Sequence, residues 1–242
     1  MRIERVGAPA DGRPLLLAAN HSSWLDITVL AAAMPVAFVA KSEIAGWPGI
    51  GTLAKLSRTI FVDRTRKTAT RATAQEMAAR LSAGEPIVLF AEGTSSDHNR
   101  VLPFRSALIG AAHEAIAAAG AGQALVQPVS VAYPSRHGLP LLRSERPQIA
   151  WYGGMTLPKH LWDMLRTGGP RAVISFGAPI PVTAASDRKA VARAAEAEVR
   201  AMTRRALRYP PSEPDRRSVP AGLTPSPDAP DEVGILLDAQ TG

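Results

Sequence analysis

An α/β domain with a mixed β-sheet flanked by helices is the fold class this sequence predicts, and three observations predict it. Short, almost wholly apolar runs alternate with stretches of helical length, the order that builds a sheet covered by helices. Those runs lack the in-out alternation of half-exposed strands, as expected of strands buried on both faces. At 242 residues and 46% hydrophobic, the chain can also bury a sizeable core as one domain.

Met1 to Gly7 mixes Ile3 and Val6 with charged residues and reads as an edge strand, followed by a loop with Pro9, Asp11-Gly12 and Pro14. Leu15 to Ala19 is a short apolar strand, Asn20 to Ser23 a polar turn, and Trp24 to Met34 a helix closed by Pro35. Val36 to Ala40 is the next strand. Lys41 to Lys55 places Trp47, Ile50 and Leu53 among glycines and two lysines. It reads either as an amphipathic piece that dips into lipid headgroups or as a plain loop. Gly49-x-Gly51 within it is no dinucleotide fingerprint, because it follows Pro48 rather than a strand.

Thr59 to Val62 is a β-branched and aromatic strand that ends in Asp63-Arg64, and Thr65 to Ala83 is a basic, alanine-rich helix stopped at Gly84. Pro86 to Ala91 is a further apolar strand running into Glu92-Gly93-Thr94-Ser95-Ser96-Asp97, where glycine allows close backbone approach and the hydroxyls add donors. Phe104 to Ala119 is a helix carrying His113, which is given no role. Ala124 to Ala132, Ile149 to Tyr152 and Ala172 to Phe176 read as strands, with a short helix over Pro158 to Arg166. Asp187 to Arg208 is an arginine-loaded helix. The expected domain therefore spans 1–208. From Pro210 onward seven prolines and six acidic residues fall in 33 positions, so 209–242 reads as a disordered acidic tail.

Composition narrows the function. The net charge of +7, of which the tail holds two basic and six acidic residues, leaves about +11 on residues 1–208 and points to an anionic partner. Aromatics are only 5% and do not interleave with basic residues, which argues against nucleic acid in favour of an anionic membrane surface or substrate. With no cysteine, thiolate chemistry and disulfides are excluded. No metal is expected, since His113-Glu114 lacks the second histidine of a zincin motif. The longest apolar stretch, Ile27 to Ala40, is broken by Thr28 and Pro35 and is too short to span a bilayer, so attachment is expected to be peripheral.

The chemistry centres on His21 and Asp26. Five residues along a helix is about 500° of rotation, so the two would not share a helical face. With His21 in the turn and Asp26 in the helix's first turn they meet, and a carboxylate that fixes one ring nitrogen leaves the other free to take a proton. Equally, Ser23-x-x-Asp26 reads as a capping box with His21 an ordinary turn residue. Arg64 at a strand end suits an anionic group through its forked donors, or is a surface partner of Asp63.

Asn20-His21-Ser22-Ser23-Trp24-Leu25-Asp26, Phe61-Val62-Asp63-Arg64 and Glu92-Gly93-Thr94 occur in the order and spacing of the glycerolipid acyltransferase family, which the chain resembles; its best-known members are lysophosphatidate acyltransferases. Val126-Gln127-Pro128-Val129 is similar to the family's last block. The resemblance implies acyl transfer from an acyl carrier protein or coenzyme A thioester to a lyso-lipid hydroxyl, without a cofactor, at the cytoplasmic face of the cell membrane. It makes His21 the base, Asp26 its orienting group, Arg64 the ligand of the anionic head, and Glu92, Gly93, Thr94 and Ser95 part of the acceptor pocket. Phosphatidate synthesis from 1-acylglycerol-3-phosphate is the first expectation. Yet Ser95 and Ala91 stand where the family commonly has Arg and Pro. Losing one of two charge-assisted contacts should weaken phosphate binding by roughly 1.5 to 3 kcal/mol unless Arg100 or Arg105 substitutes. The Glu-Gly-Thr-Ser-Ser-Asp variant looks like the subgroup that acylates lyso-ornithine lipid. Family members also usually carry a membrane-embedded segment before the histidine block, so the chain is expected either to begin late or to be anchored by Trp47, its neighbours and the basic helix. A non-catalytic lyso-lipid-binding module is the alternative from another class, and a serine hydrolase is disfavoured because no Gly-x-Ser-x-Gly elbow is present.

Overall fold

The computed structural model describes residues 1–12, 14–47, 51–52, 54, 58–62, 67–107, 109–110 and 122–208. The readings of Arg64, His113 and the tail from 209 lie outside the described residues. Among the described residues nine strands form one sheet: β1 (Ile3–Val6), β2 (Leu15–Ala19), β3 (Ala37–Lys41), β4 (Ile60–Val62), β5 (Ile87–Phe90), β6 (Ala124–Arg136), β7 (Leu139–Pro140), β8 (Arg171–Phe176) and β9 (Ile180–Val182). The spatial order is β1-β8-β6-β2-β5-β3-β4, with β7 and β9 also paired to β6. β2 runs parallel to both its neighbours, β5 and β6, and β3 runs parallel to β5 and β4. The antiparallel pairings of β6 with β7, β8 and β9 make the sheet mixed.

The continuous apolar run of β2 has its physical cause in this placement, since all five residues are buried between two strands and two helical layers. Leu15, Leu17 and Ala19 face a core that includes α1 (Leu25–Ala33) and, through Met164, the helix α3 (Leu157–Thr167). Leu16 and Ala18 face the other way, toward α2 (Lys67–Ser82) and α4 (Arg188–Arg208). In α4 the buried stripe Val191, Ala195, Val199, Met202 and Ala206 packs inward, which turns the arginines out.

Pro128 lies within β6, where a missing N–H would normally break a ladder. It falls between the last β9 pair, Val126 with Ile180, and the first β8 pair, Val129 with Phe176. One expectation fails. Ile149 to Tyr152 is not a strand but follows a 3-10 turn over Arg146–Gln148. A four-residue apolar run carries no period of its own, and here Ile149 is buried in the β2 core and Ala150 is buried next to it in the chain, while the amide of Trp151 donates to the carbonyl of Ser22 at 2.8 Å.

Candidate active site

β2 and β5 end level with each other, Ala19 opposite Phe90. Beyond that rung the two chains part, and the crevice at the carboxyl ends of parallel strands receives the polar residues of both. Asn20 continues the β2–β6 ladder with its side chain, donating from Nδ2 to the Val131 carbonyl at 2.9 Å and accepting at Oδ1 from the Val131 amide at 2.8 Å. This pins the residue directly before His21. The imidazole of His21 stacks on Phe90, ring centroids 4.0 Å apart.

Asp26 is fully buried and accepts four hydrogen bonds. Its Oδ2 takes His21 Nδ1 at 3.0 Å and the amides of Ser22 and Ser23 at 2.7 and 2.9 Å; its Oδ1 takes the Tyr133 hydroxyl at 2.7 Å. Burial by itself pushes the carboxyl up, but the His21 contact and the two amides outweigh it and hold Asp26 below the usual carboxylate range. Nδ1 of His21 therefore carries the proton toward the carboxylate, and Nε2 is the basic nitrogen. Half of the capping box is also present. Asp26 reaches back to the Ser23 amide, whereas Ser23 Oγ is buried without a partner among the described residues. One carboxylate thus serves both readings of the pair.

Beneath Asp26 lies a layer that sequence reasoning missed. Tyr133 is buried, and burial followed by the charge and hydrogen bond of Asp26 keeps its hydroxyl protonated, well above the ordinary phenol range. The Tyr133 amide donates to His98 Nε2 at 2.9 Å, so the His98 proton sits on Nδ1 and is directed to Ser22 Oγ at 3.1 Å. Desolvation lowers the His98 pKa to about 4, so this ring is neutral. Nothing in the sequence marks Tyr133, since its ring follows the apolar pattern of β6. His98 carries one trace, its place in the polar loop after Glu92.

Glu92 accepts the His21 amide on Oε1 at 3.1 Å. Burial raises its pKa to about 8; the Asp26 charge adds to this, while the amides of His21 and Leu102 and the charge of Arg200 pull the other way. Gly93 has φ +71°, and a Cβ there would lie 2.9 Å from Arg105 Cδ and Nε. Arg105 crosses that turn and donates from Nε to the Glu92 carbonyl at 3.2 Å. Of the two arginines considered as substitute cations, Arg105 is thus fixed at the turn. Arg100 is exposed beyond it.

A cavity of about 390 Å³ opens beside His21, with Trp24, Ile27, Phe38, Trp47 and Phe90 in its apolar wall. Gly93, Thr94 and Ser95 line its polar side. The structure therefore brings together His21, Asp26, Glu92, Gly93, Thr94 and Ser95. A cleft of about 560 Å³ between Met34 to Val36 and Ala83 to Pro86 lies at the opposite, amino ends of β3 and β5, away from this chemistry.

This arrangement suits attack by a hydroxyl beside a long apolar group, and comparison with known proteins agrees. The family model described as acyltransferase matches residues 3–132. The chain is 50% identical to the lyso-ornithine lipid O-acyltransferase of Brucella abortus over 206 residues, covering 85% of this chain and 77% of the relative. It is 40% identical to the protein of that name from Rhizobium meliloti, over 86% and 71% of the two chains. Identity to the 1-acyl-sn-glycerol-3-phosphate acyltransferase of Neisseria gonorrhoeae is 30%, over 81% and 73%. Among solved structures, the 1-acyl-sn-glycerophosphate acyltransferase PlsC of Thermotoga maritima shares the fold, with a TM-score of 0.56 and 20% identity over 84% of this chain and 71% of that one. A family match over more than half the length, and a relative half identical across most of both chains, establish that this chain belongs to the acyltransferase family.

Proposed function

We propose that the chain is a lysolipid O-acyltransferase whose acceptor is lyso-ornithine lipid and whose donor is an acyl carrier protein or coenzyme A thioester. The carrying observation is the His21–Asp26 pair at the mouth of an apolar cavity, in a chain half identical to a lyso-ornithine lipid O-acyltransferase. His21 Nε2 takes the acceptor hydroxyl proton as the oxygen attacks the thioester carbonyl. The tetrahedral intermediate then expels the thiolate, which receives that proton from His21, and an ester replaces the thioester. Asp26 stabilises the imidazolium between the two steps. A positioned base contributes on the order of 10²- to 10⁴-fold, so orientation of both substrates supplies much of the remaining acceleration.

Ser95 at the cavity's polar side, where a second arginine would serve a phosphate, favours the amino-acid head group. Arg105 at the same turn and the Neisseria relative favour 1-acylglycerol-3-phosphate as a second acceptor. No helix among the described residues is long and apolar enough to cross a membrane. The test is acyl transfer by the purified chain, followed by mass spectrometry, with each acceptor offered separately and each donor in turn. His21→Ala should abolish product while native circular dichroism is retained. Activity within tenfold of wild type would refute the assignment of the base, and product from lysophosphatidate alone would reverse the choice of acceptor.

A further inference from the structure

A helix on the surface of a soluble protein turns its apolar stripe inward and its charges outward. In α3 the inward positions are His160 and Met164, both buried. The outward positions Pro158, Leu161, Trp162 and Leu165 follow the i, i+3, i+4, i+7 spacing of a second apolar stripe, and this one faces solvent. Trp162 is 67% and Leu165 70% exposed. Lys159, Asp163 and Arg166 flank the stripe; Lys159 pairs with Asp163 at 2.7 Å, so Arg166 leaves the flank positive. At the carboxyl end of α3 the Thr167 carbonyl meets His137 Nε2 at 2.7 Å, within the β6–β7 hairpin that carries exposed Leu139, with exposed Leu142 just beyond it.

The inward side of the same helix is tied to the active site. Trp24 Nε1 donates to His160 Nδ1 at 3.0 Å, and Trp151 Nε1 to the carbonyl of Met155, an exposed residue two positions before α3, at 2.9 Å. Both indoles line the cavity that holds His21, and Trp151 packs edge-on against Trp47.

We propose that the outward face of α3 is the surface on which the protein lies on a bilayer containing anionic lipid, with Trp162 and Leu165 inserted at headgroup depth and the cavity mouth beside them. An aromatic and leucines flanked by basic residues are the composition of an in-plane interfacial helix. A second copy of the chain fits less well. A stable interface needs about 800 Å² and some 20 to 30 residues from each partner, which one 11-residue helix does not offer. The arginine-rich face of α4 is on the opposite layer of the sheet, so it does not flank this contact. The proposal rests on the lysolipid reading for its meaning: α3 and the segment just before it are tied through Trp24 and Trp151 to the cavity that an acceptor from the bilayer would enter.

The test uses the full chain and vesicles of phosphatidylcholine with a minority of phosphatidylglycerol. Trp162→Gln with Leu165→Gln should lower the partition coefficient on the order of tenfold or more, whereas Arg193→Gln with Arg204→Gln on α4 should change it less than about twofold. Turnover of a short-chain acceptor dispersed as monomers, without vesicles, should be the same in the α3 variant as in wild type. Lipids brominated near the headgroup should quench wild-type tryptophan fluorescence, and Trp162→Phe should remove most of that quenching; this readout stands even if the double variant fails to fold. Unchanged partition or unchanged quenching overturns the proposal. So does a wild-type dimer that the α3 changes dissociate while vesicle binding persists, which would assign the face to a second copy. Absence of turnover in wild type with every acceptor would count against the lysolipid reading alone, because partition and quenching are measured without catalysis.

Discussion

Tyr133→Phe removes one hydroxyl and nothing else from the layer beneath the dyad. The Tyr133 hydroxyl is the donor to Asp26 Oδ1, at 2.7 Å, and the carboxylate has no exposure through which water would replace it. A hydrogen bond to a charged group contributes roughly 1.5 to 3 kcal/mol. For a domain of about 200 residues each kcal/mol shifts Tm by about 2 to 4 °C, so the variant should melt roughly 3 to 12 °C lower. The same energy bounds the catalytic effect. If all of it served to hold Asp26 against His21, kcat would fall between roughly 10- and 160-fold. Because Oδ2 keeps His21 and two amides, the lower end is expected. KM should hold, since Tyr133 is not among the residues lining the cavity. Thermal denaturation by circular dichroism and a continuous thiol-release assay measure the two quantities. A Tm within about 1 °C of wild type together with kcat within about twofold would refute the reading of Tyr133 as the residue that holds the carboxylate.

Two further perturbations test the electrostatics and the backbone. Glu92, raised from 4.5 to about 8, contributes stability that is complete below pH 4.5 and lost as pH rises through 8; His98, lowered from 6.5 to about 4, contributes stability that is complete above 6.5 and lost as pH falls through 4. The Glu92 slope is opposed by His98 between pH 4.5 and 6.5 and stands alone above it, so the unfolding free energy from urea titrations should fall by about 1.4 kcal/mol per pH unit from 6.5 to 8; Glu92→Gln should abolish that fall, and its persistence in the variant would show that another group titrates. Gly93→Ala meets both a positive φ and the Arg105 side chain, so it should lose about 1 kcal/mol or more of stability and displace Arg105; an unchanged Tm with unchanged acceptor preference would show that the turn tolerates a side chain.

The sheet was legible where period and punctuation agreed. The β2 run, the turn after it and the helix start could be read because apolar residues stop abruptly at Asn20 and resume at helical length. Residues 15 to 26 also placed the dyad, since a turn and a first helical turn bring side chains five apart together. Two kinds of information were not legible. β9 is three residues long and contains a proline, so no pattern announces it, and Ile149 is apolar because it is buried in a core rather than because it extends. Nor could sequence show that the Asn20 side chain replaces a ladder rung to β6, more than a hundred residues away, or that Tyr133 reaches Asp26 across a similar separation. These contacts are set by the parallel pairing of β2 with β6, which local propensity does not encode. The exposed stripe of α3 was present as letters, but a helical period states only that a face is apolar. Which side the core claims is decided by His160 and Met164.

Two carboxylates approach the same histidine and their environments push them apart. Asp26 contacts the ring and is held low by His21 and the amides of Ser22 and Ser23; Glu92 contacts the backbone amide and is raised to about 8 by burial, with the charge on Asp26 contributing. Divergent pKa values in one site separate roles. In the proposed reaction Asp26 carries at neutral pH the charge that His21 needs when it takes a proton, while Glu92 is mostly protonated and adds none. His98, neutral beneath them, likewise brings no cation to draw Asp26 away from the imidazole. A second charged carboxylate this close would compete with Asp26 for the imidazolium and would repel an anionic acceptor. Keeping Glu92 neutral therefore leaves a site with one fixed anion, oriented by buried donors, facing one movable proton. In the proposed reaction that arrangement lets His21 take the hydroxyl proton beside a single carboxylate, and the buried neutral residues Glu92, His98 and Tyr133 maintain it.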